Sequence, residues 1–278
     1  MTSESFDINR VSWDERVPAH VASPGYAIQQ FVDDPDFLSH VVRFDVPRLG
    51  DLTGLRGVHL QCHIGTDTVS LARLGARMTG LDFSLPAVEA GRDLAAKLGQ
   101  DTDFVQSDVY DAVAALGGPR QCDLVFTGIG ALCWLPDIRR WASVVNALLK
   151  PGGRLFLREG HPMLWAVDDR ITDSITIGFP YFETPEPIVW EEEGTYVPTD
   201  VQFQHNVTHS WNHGLGEIVT ALLEEGLTIT QLIEHDSVPW EGLPGQMTRD
   251  DATEEWHLTD HAERLPLTYT LQATKPGW

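Results

Sequence analysis

"GVHLQCHIGTDTVSLARLGARMTGLDFS", residues 57–84, decides the fold. The apolar run "GVHLQC" is followed by a turn, the helical pattern "DTVSLARLG" and a second apolar run that ends on Asp82. That is the outline of a nucleotide-binding strand, turn, helix and strand. Gln61 and His63, however, stand where such a turn usually has glycine. Taken alone, the stretch fits either a cofactor site that works without its glycines or a buried βαβ unit.

The alternation continues downstream. Helical "LPAVEAGRDLAAKLG", run "TDFVQSD", helical "VYDAVAAL", run "CDLVFTG", helical "DIRRWASVVNALL" and run "GRLFLREG" follow in order. Five apolar runs separated by helices imply a parallel sheet of right-handed βαβ units. Ser84 with Pro86 behind it marks a helix start, and Gly75 and Gly99 fall where helix-ending glycines belong. Residues 1–50, broken by Pro18, Pro24, Pro35 and Pro47, read as an N-terminal cap with a short helix around Tyr26 to Phe31. Residues 161–211 are rich in proline and aromatics and read as an insertion or substrate lid over the working edge of the sheet. The alternation resumes in "NHGLGEIVTALLEEG", with Asn212 as N-cap and Gly226 as stop, then "LTITQLIEH" and a last strand "PLTYTLQATK". Residues 51–160 and 212–278 therefore form one α/β domain.

Composition bounds the function. With 19 Lys and Arg against 41 Asp and Glu, the net charge of −22 repels phosphate backbones, so a nucleic-acid partner is not expected. No leader-like start and no long uninterrupted apolar run is evident, which predicts a soluble, cytoplasmic protein without a membrane partner. Cys62, Cys122 and Cys133 form no CxxC pair and read as small apolar fillers.

"HLQCHIG", "GLDFS", "SDVY", "CDLVFTGIGALCWLPD" and "LLKPGGRLFL", in this order and with two late strands forming a hairpin, resemble the class I S-adenosylmethionine-dependent methyltransferases. The resemblance is strong over residues 55–160 and rests on element order over 212–275. It implies a doubly wound, mostly parallel, seven-stranded Rossmann-like sheet with S-adenosyl-L-methionine as cofactor. Ligands of such sheets sit at the carboxyl ends of strands near the switch in strand order, where "QCHIG" follows the first strand. Gly65 would let backbone approach the ligand. Asp82, 17 residues further on, would accept hydrogen bonds from both ribose hydroxyls. Phe83 would flank the adenine, Asp108 would lie by the adenine amino group and Val109 would offer its N–H. Capping the next helix is the rival role for Asp108. Thr127 and Gly128, opening "TGIG", would pass close to the methionine part, and Tyr26 would close over its carboxylate end.

The first motif departs from the family, which usually shows an acidic residue and then glycines where this chain has His59, Gln61, His63 and Gly65. At positive φ, Gln61 and His63 would each carry a backbone cost on the order of 1 kcal/mol. Their side chains would then do by hydrogen bonding what glycine does by exposing backbone. A similar "HLQCH" run marks a subset of bacterial small-molecule enzymes in this family.

Methyl transfer is an in-line displacement, so holding nucleophile and methyl together in a dry pocket matters most and a base is optional. His161, His205 and His209 are candidate proton acceptors, and Trp134, Tyr196 and Trp211 candidate pocket walls. The spacing of His205, His209 and His213 would align three imidazoles on a helix, but "HNVTHSWNH" is a poor helix former, and no metal is expected. The resulting expectation is an N- or O-methyltransferase, with carbon also open, acting on a small and aromatic-compatible metabolite as monomer or homodimer. A cofactor-binding sensor, or a relative using the sulfonium for other chemistry, is the alternative.

Overall fold

A computed structural model describes residues 3–277. The N-terminal region folds into three helices: α1 (Ser3–Ala22), α2 (Ile28–Asp33) and α3 (His40–Leu49). The sequence reading foresaw only the second. Pro18 and Pro47 lie inside their helices towards the C-terminal ends, and neither breaks its helix.

The alternating region follows as read: β1 (Arg56–Leu60), α4 (Thr66–Arg73), β2 (Arg77–Asp82), α5 (Leu85–Leu98), β3 (Asp103–Gln106), α6 (Ala112–Ala115), β4 (Cys122–Thr127), α7 (Ile138–Leu148) and β5 (Leu149–Gly160). Ser84 caps α5 by accepting from Ala87 N–H, and Gly99 ends it in the left-handed region. Then come α8 (Pro162–Ala166), β6 (Ile188–Glu191), β7 (Val207–Ser210), α9 (Leu215–Glu224), β8 (Thr228–His235), β9 (Met247–Asp250), β10 (Glu255–Leu258) and β11 (Thr268–Thr274). Asn212 is not the cap of α9. Gly214 takes that place with Glu217 reaching back to it, while the Asn212 amide donates to Pro162 and Pro180 carbonyls.

Seven strands form the sheet in the order β3-β2-β1-β4-β5-β11-β8. Only β11 runs antiparallel, between β5 and β8. The switch in order falls between β1 and β4, so the turn after β1 and the loop after β4 face each other across the crevice. One face packs Val58, Leu60, Val125, Leu155, Leu157 and Tyr269 against α7 and α9 around the fully buried Trp141. The other carries Phe126, stacked on Phe156, beneath α3 and α4. Two small hairpins, β6 with β7 and β9 with β10, lie outside the sheet.

Arg16 ties the insertion to the cap. Its buried guanidinium donates to the carbonyls of Ser12, Glu192, Gly194 and His205. Among the described residues no helix is long and apolar enough to cross a membrane.

Gly80, in mid-β2, has no room for a methyl group: a Cβ there would lie 2.6 Å from Phe104 and 2.8 Å from Cys62 Sγ. Gly80→Ala should lower stability by about 1–3 kcal/mol. An unchanged urea midpoint would contradict that packing.

Candidate functional site

The turn after β1 is built on left-handed backbone. Gln61 has φ 56°, His63 φ 49° and Gly65 φ 81°. Each of the two larger residues is anchored by its side chain or its amide. Gln61 Nε2 donates to the Ala131 carbonyl (2.9 Å), bridging to the loop after β4. His63 N–H donates to Asp82 Oδ2 (2.8 Å), and its Nε2 meets His20 Nδ1 at 2.7 Å. Gly65 is required by packing: a Cβ there would lie 2.4 Å from the Phe104 ring and 3.3 Å from Gly91 Cα.

Asp82 ends β2 nearly buried. Its Oδ1 accepts from Ser84 N–H (2.9 Å), and burial pushes its carboxyl up to about 6 against the pull of these backbone donors. It is ionised at neutral pH and keeps lone pairs free for further donors. Asp108 accepts from Tyr110 N–H (2.8 Å) and caps the short turn 109–111, the rival role weighed above. Val109 points into the core at 3% exposure, and Phe83 is half-buried beside Asp82.

Aromatic rings roof this edge. Trp13 packs edge-on against His20, His63 and Trp134 and lies 6.2 Å from Tyr196. The hydroxyls of Tyr26 and Tyr196 are hydrogen-bonded to one another, and His20 Nε2 meets Thr195 Oγ1 at 2.7 Å. The predicted residues Tyr26, His63, Trp134 and Tyr196 thus converge, from four separate segments. Trp211 lies apart, buried with Leu132, Glu159, Trp165 and Tyr269 around a small cavity.

The three candidate histidines do not converge. His161 is buried at the end of β5. Its Nδ1 accepts from Met163 N–H (3.0 Å), which leaves the proton on Nε2, 3.0 Å from Glu234 Oε1. His205 faces Glu15 and His209 faces Ser5, both on α1. Residues 207–210 form a strand, so the helical alignment of three imidazoles does not arise.

Glu159 was missed by the sequence reading. Its carboxylate, 2% exposed, accepts from the N–H groups of Gly130 (2.5 Å), Ala131 (2.8 Å), Leu132 (2.8 Å) and Gly160 (2.7 Å), fixing the loop after β4. A lone acid near the end of the apolar run "GRLFLREG" was the available signal. Trp13 and His20 were missed because α1 was not recognised as a helix.

Comparison with known proteins places this geometry. Residues 58–155 match the family model of a methyltransferase domain. A ubiquinone biosynthesis O-methyltransferase of Klebsiella pneumoniae is 34% identical over 124 residues, covering 43% of this chain and 50% of that protein. One from Escherichia coli is 33% identical over the same length. The chain spans about half the length of these curated relatives. An S-adenosylmethionine-dependent methyltransferase from Mesorhizobium loti has a similar structure, with TM-score 0.55, 18% identity and coverage of 84% of this chain and 97% of that one. Geranyl diphosphate C-methyltransferase from Streptomyces coelicolor, solved with S-adenosyl-L-homocysteine, gives TM-score 0.53, 15% identity and coverage of 84% and 77%. At these identities the structural likeness is one of fold, and the fold is that of the Rossmann-like methyltransferases.

His20 is fully buried and neutral, pushed down to about 4 chiefly by burial. An unfolded imidazole takes its proton near 6.5, so the unfolded chain binds more protons between those values. His20 therefore costs stability as pH falls from about 6.5 to about 4. Asp82, whose folded value is raised, acts in the opposite sense and loses stability as pH rises through about 6. His20→Gln should consequently lose less stability than the parent between about pH 7 and about pH 5. Equal losses in denaturant titrations would contradict this.

Proposed function

We propose that the protein is a class I S-adenosylmethionine-dependent methyltransferase that transfers a methyl group to nitrogen or oxygen, with carbon also open, of a small metabolite. The observation that carries this reading is the buried Asp82 carboxylate at the end of β2, beside a left-handed turn at the switch in strand order. The match of residues 58–155 to a methyltransferase domain supports it, as do the O-methyltransferase relatives.

The residues present fit the cofactor. Gln61 Oε1 and Thr127 Oγ1 are buried without partners on the two strand ends that flank the crevice, as polar atoms awaiting a polar ligand would be. Asp82 would hold the ribose hydroxyls. Phe83 would flank the adenine, with Asp108 and Val109 at its edge. Gln61, His63, Gly65, Thr127 and Gly128 would surround the methionine part, with Tyr26 closing over it. When bound, the cofactor supplies an electrophilic methyl group on a sulfonium.

The chain's own contribution is positioning and exclusion of water. Glu159 locks residues 130–132, so the loop bordering the crevice is preorganised. The roof of Trp13, Tyr26, Trp134 and Tyr196 shields the site from solvent, and Trp134 and Tyr196 are the proposed walls for the acceptor, Trp211 lying apart from them. The candidate proton acceptors His161, His205 and His209 do not converge on the crevice, so the transfer is proposed to run by positioning without a dedicated base. The "HLQCH" run is read as a variant grip in which side chains replace glycine. The domain from 51–160 and 212–278 holds the cofactor, under a cap (1–50) and a lid (161–211), in a cytoplasmic protein.

The test is release of S-adenosylhomocysteine with a panel of amines, phenols and carboxylic acids. No turnover with any of them, despite tight cofactor binding, would favour the sensor. Asp82→Ala should weaken S-adenosylhomocysteine binding at least about tenfold by calorimetry, the size of a lost charge-assisted hydrogen-bonding group. Unchanged affinity would refute the ribose role. Gln61→Gly exchanges relieved backbone strain of about 1 kcal/mol for a lost hydrogen bond of similar size. Its unfolding midpoint should stay nearly constant while cofactor affinity falls; unaltered affinity would mean that Gln61 only shapes the turn.

A further inference from the structure

On the sheet face opposite Trp141, a polar chamber lies beneath α3. Arg158 of β5 is fully buried; its Nη2 donates to Glu255 Oε2 (2.7 Å), which also accepts from Ser237 Oγ (2.9 Å). The guanidinium lies 3.6 Å from the centre of the Phe44 ring. Asp45, one residue along α3, is also fully buried. Burial raises the Asp45 carboxyl to about 7, while Arg158 and Arg48 pull it down and Asp67 and Glu255 push it up. His40 senses Asp67, Glu255 and Arg158. Asp67 Oδ2 lies 3.6 Å from the place a Cβ on Gly128 would occupy. The chamber therefore reaches the end of β4, at the margin of the proposed cofactor crevice.

Unpartnered polar atoms concentrate here. Both oxygens of Asp45, Oε1 of Glu255, Nε and Nη1 of Arg158 and Nε2 of His40 are buried without a hydrogen bond. Such groups are rare in folded proteins, and each costs about 1–3 kcal/mol when left unpaired. Burial also raises the Asp67 carboxyl above its ordinary value and holds His40 and His235 towards their neutral forms. A lone carboxylate would pair with Arg158 and leave both Asp45 oxygens and Glu255 Oε1 without a donor. A lone ammonium would pair with the acids and leave the guanidinium N–H groups idle.

We infer that this chamber recognises the polar head of the methyl acceptor, and that the head pairs an ammonium with a carboxylate, as an amino acid does. The ammonium lies against Asp45 and Glu255 Oε1, and the carboxylate accepts from Arg158 Nε and Nη1. The net charge of −22 favours approach of the cationic end. The acceptor role rests on the methyltransferase reading above.

The experiment uses the full chain saturated with S-adenosylhomocysteine and three probes: glycine for the paired head, methylammonium chloride and sodium acetate for its halves. Glycine should shift the buried Arg158 Nε–H resonance saturably, with each half binding at least about tenfold more weakly. Asp45→Asn, nearly isosteric, should weaken glycine binding about tenfold while leaving the unfolding midpoint and S-adenosylhomocysteine affinity in place. No saturable shift, equal binding by D45N, or a glycine-soaked crystal with ordered water only between Asp45 and Arg158 would each overturn the inference. S-adenosylhomocysteine affinity is measured separately. Cofactor binding without glycine binding removes the chamber and spares the methyltransferase reading, whereas failure of the cofactor to bind removes that reading and the acceptor role with it.

Discussion

The left-handed backbone at Gln61 and His63 is the constraint around which the site is arranged. Glycine would adopt this turn without strain; here two larger residues do so at a cost on the order of 1 kcal/mol each. The cost is met locally, by the Gln61 amide on Ala131, the His63 N–H on Asp82 and the His63 ring on His20. Each of these contacts joins the turn to a different part of the molecule: the loop after β4, the end of β2 and the N-terminal helix. A turn of glycines would be indifferent to these neighbours. This one is cross-linked to all three, so its geometry and theirs are determined together.

The rest of the working edge follows from the same requirement for order without solvent. Glu159 satisfies four backbone N–H groups at once and thereby holds the loop that Gln61 grips from the other side. Arg16 does the converse for the insertion, offering one guanidinium to several carbonyls of segments with no regular partner strand. Both are buried charges stabilised by main-chain dipoles, which suits them to shaping irregular backbone that hydrophobic packing alone would leave undefined. The aromatic roof rests on this framework: its rings come from α1, the cap, the turn, the loop after β4 and the insertion, and none of those segments could present it alone.

Much of the sheet was legible because βαβ units carry a local signal. Apolar runs of strand length, Ser84 at a helix start and Gly99 at a helix end are short-range features, and the structure places them as read. Asp82 was legible for the same reason, as the acid that ends the second run. Helix α1 was not, because its weakly patterned residues and Pro18 resemble a loop in sequence; its order comes from packing on β7 and α5 and from Arg16. Asn212 carried the local mark of a cap, yet tertiary partners, the carbonyls of Pro162 and Pro180, claimed its amide.

By itself, then, the sequence determined the alternating strand and helix order, the register of the first motif and the oddity of Gln61 and His63, since all are set by neighbours in the chain. Only the tertiary structure decided that Glu159 locks the loop after β4, that His20 braces His63, and that Arg158, Asp45 and Glu255 share one buried chamber. Those pairings join residues 27 to 97 positions apart, from Glu159 and Leu132 to Arg158 and Glu255. The physical reason is that a buried charge is tolerable only beside its partner, and the partner's place is fixed by the fold, not by the local pattern.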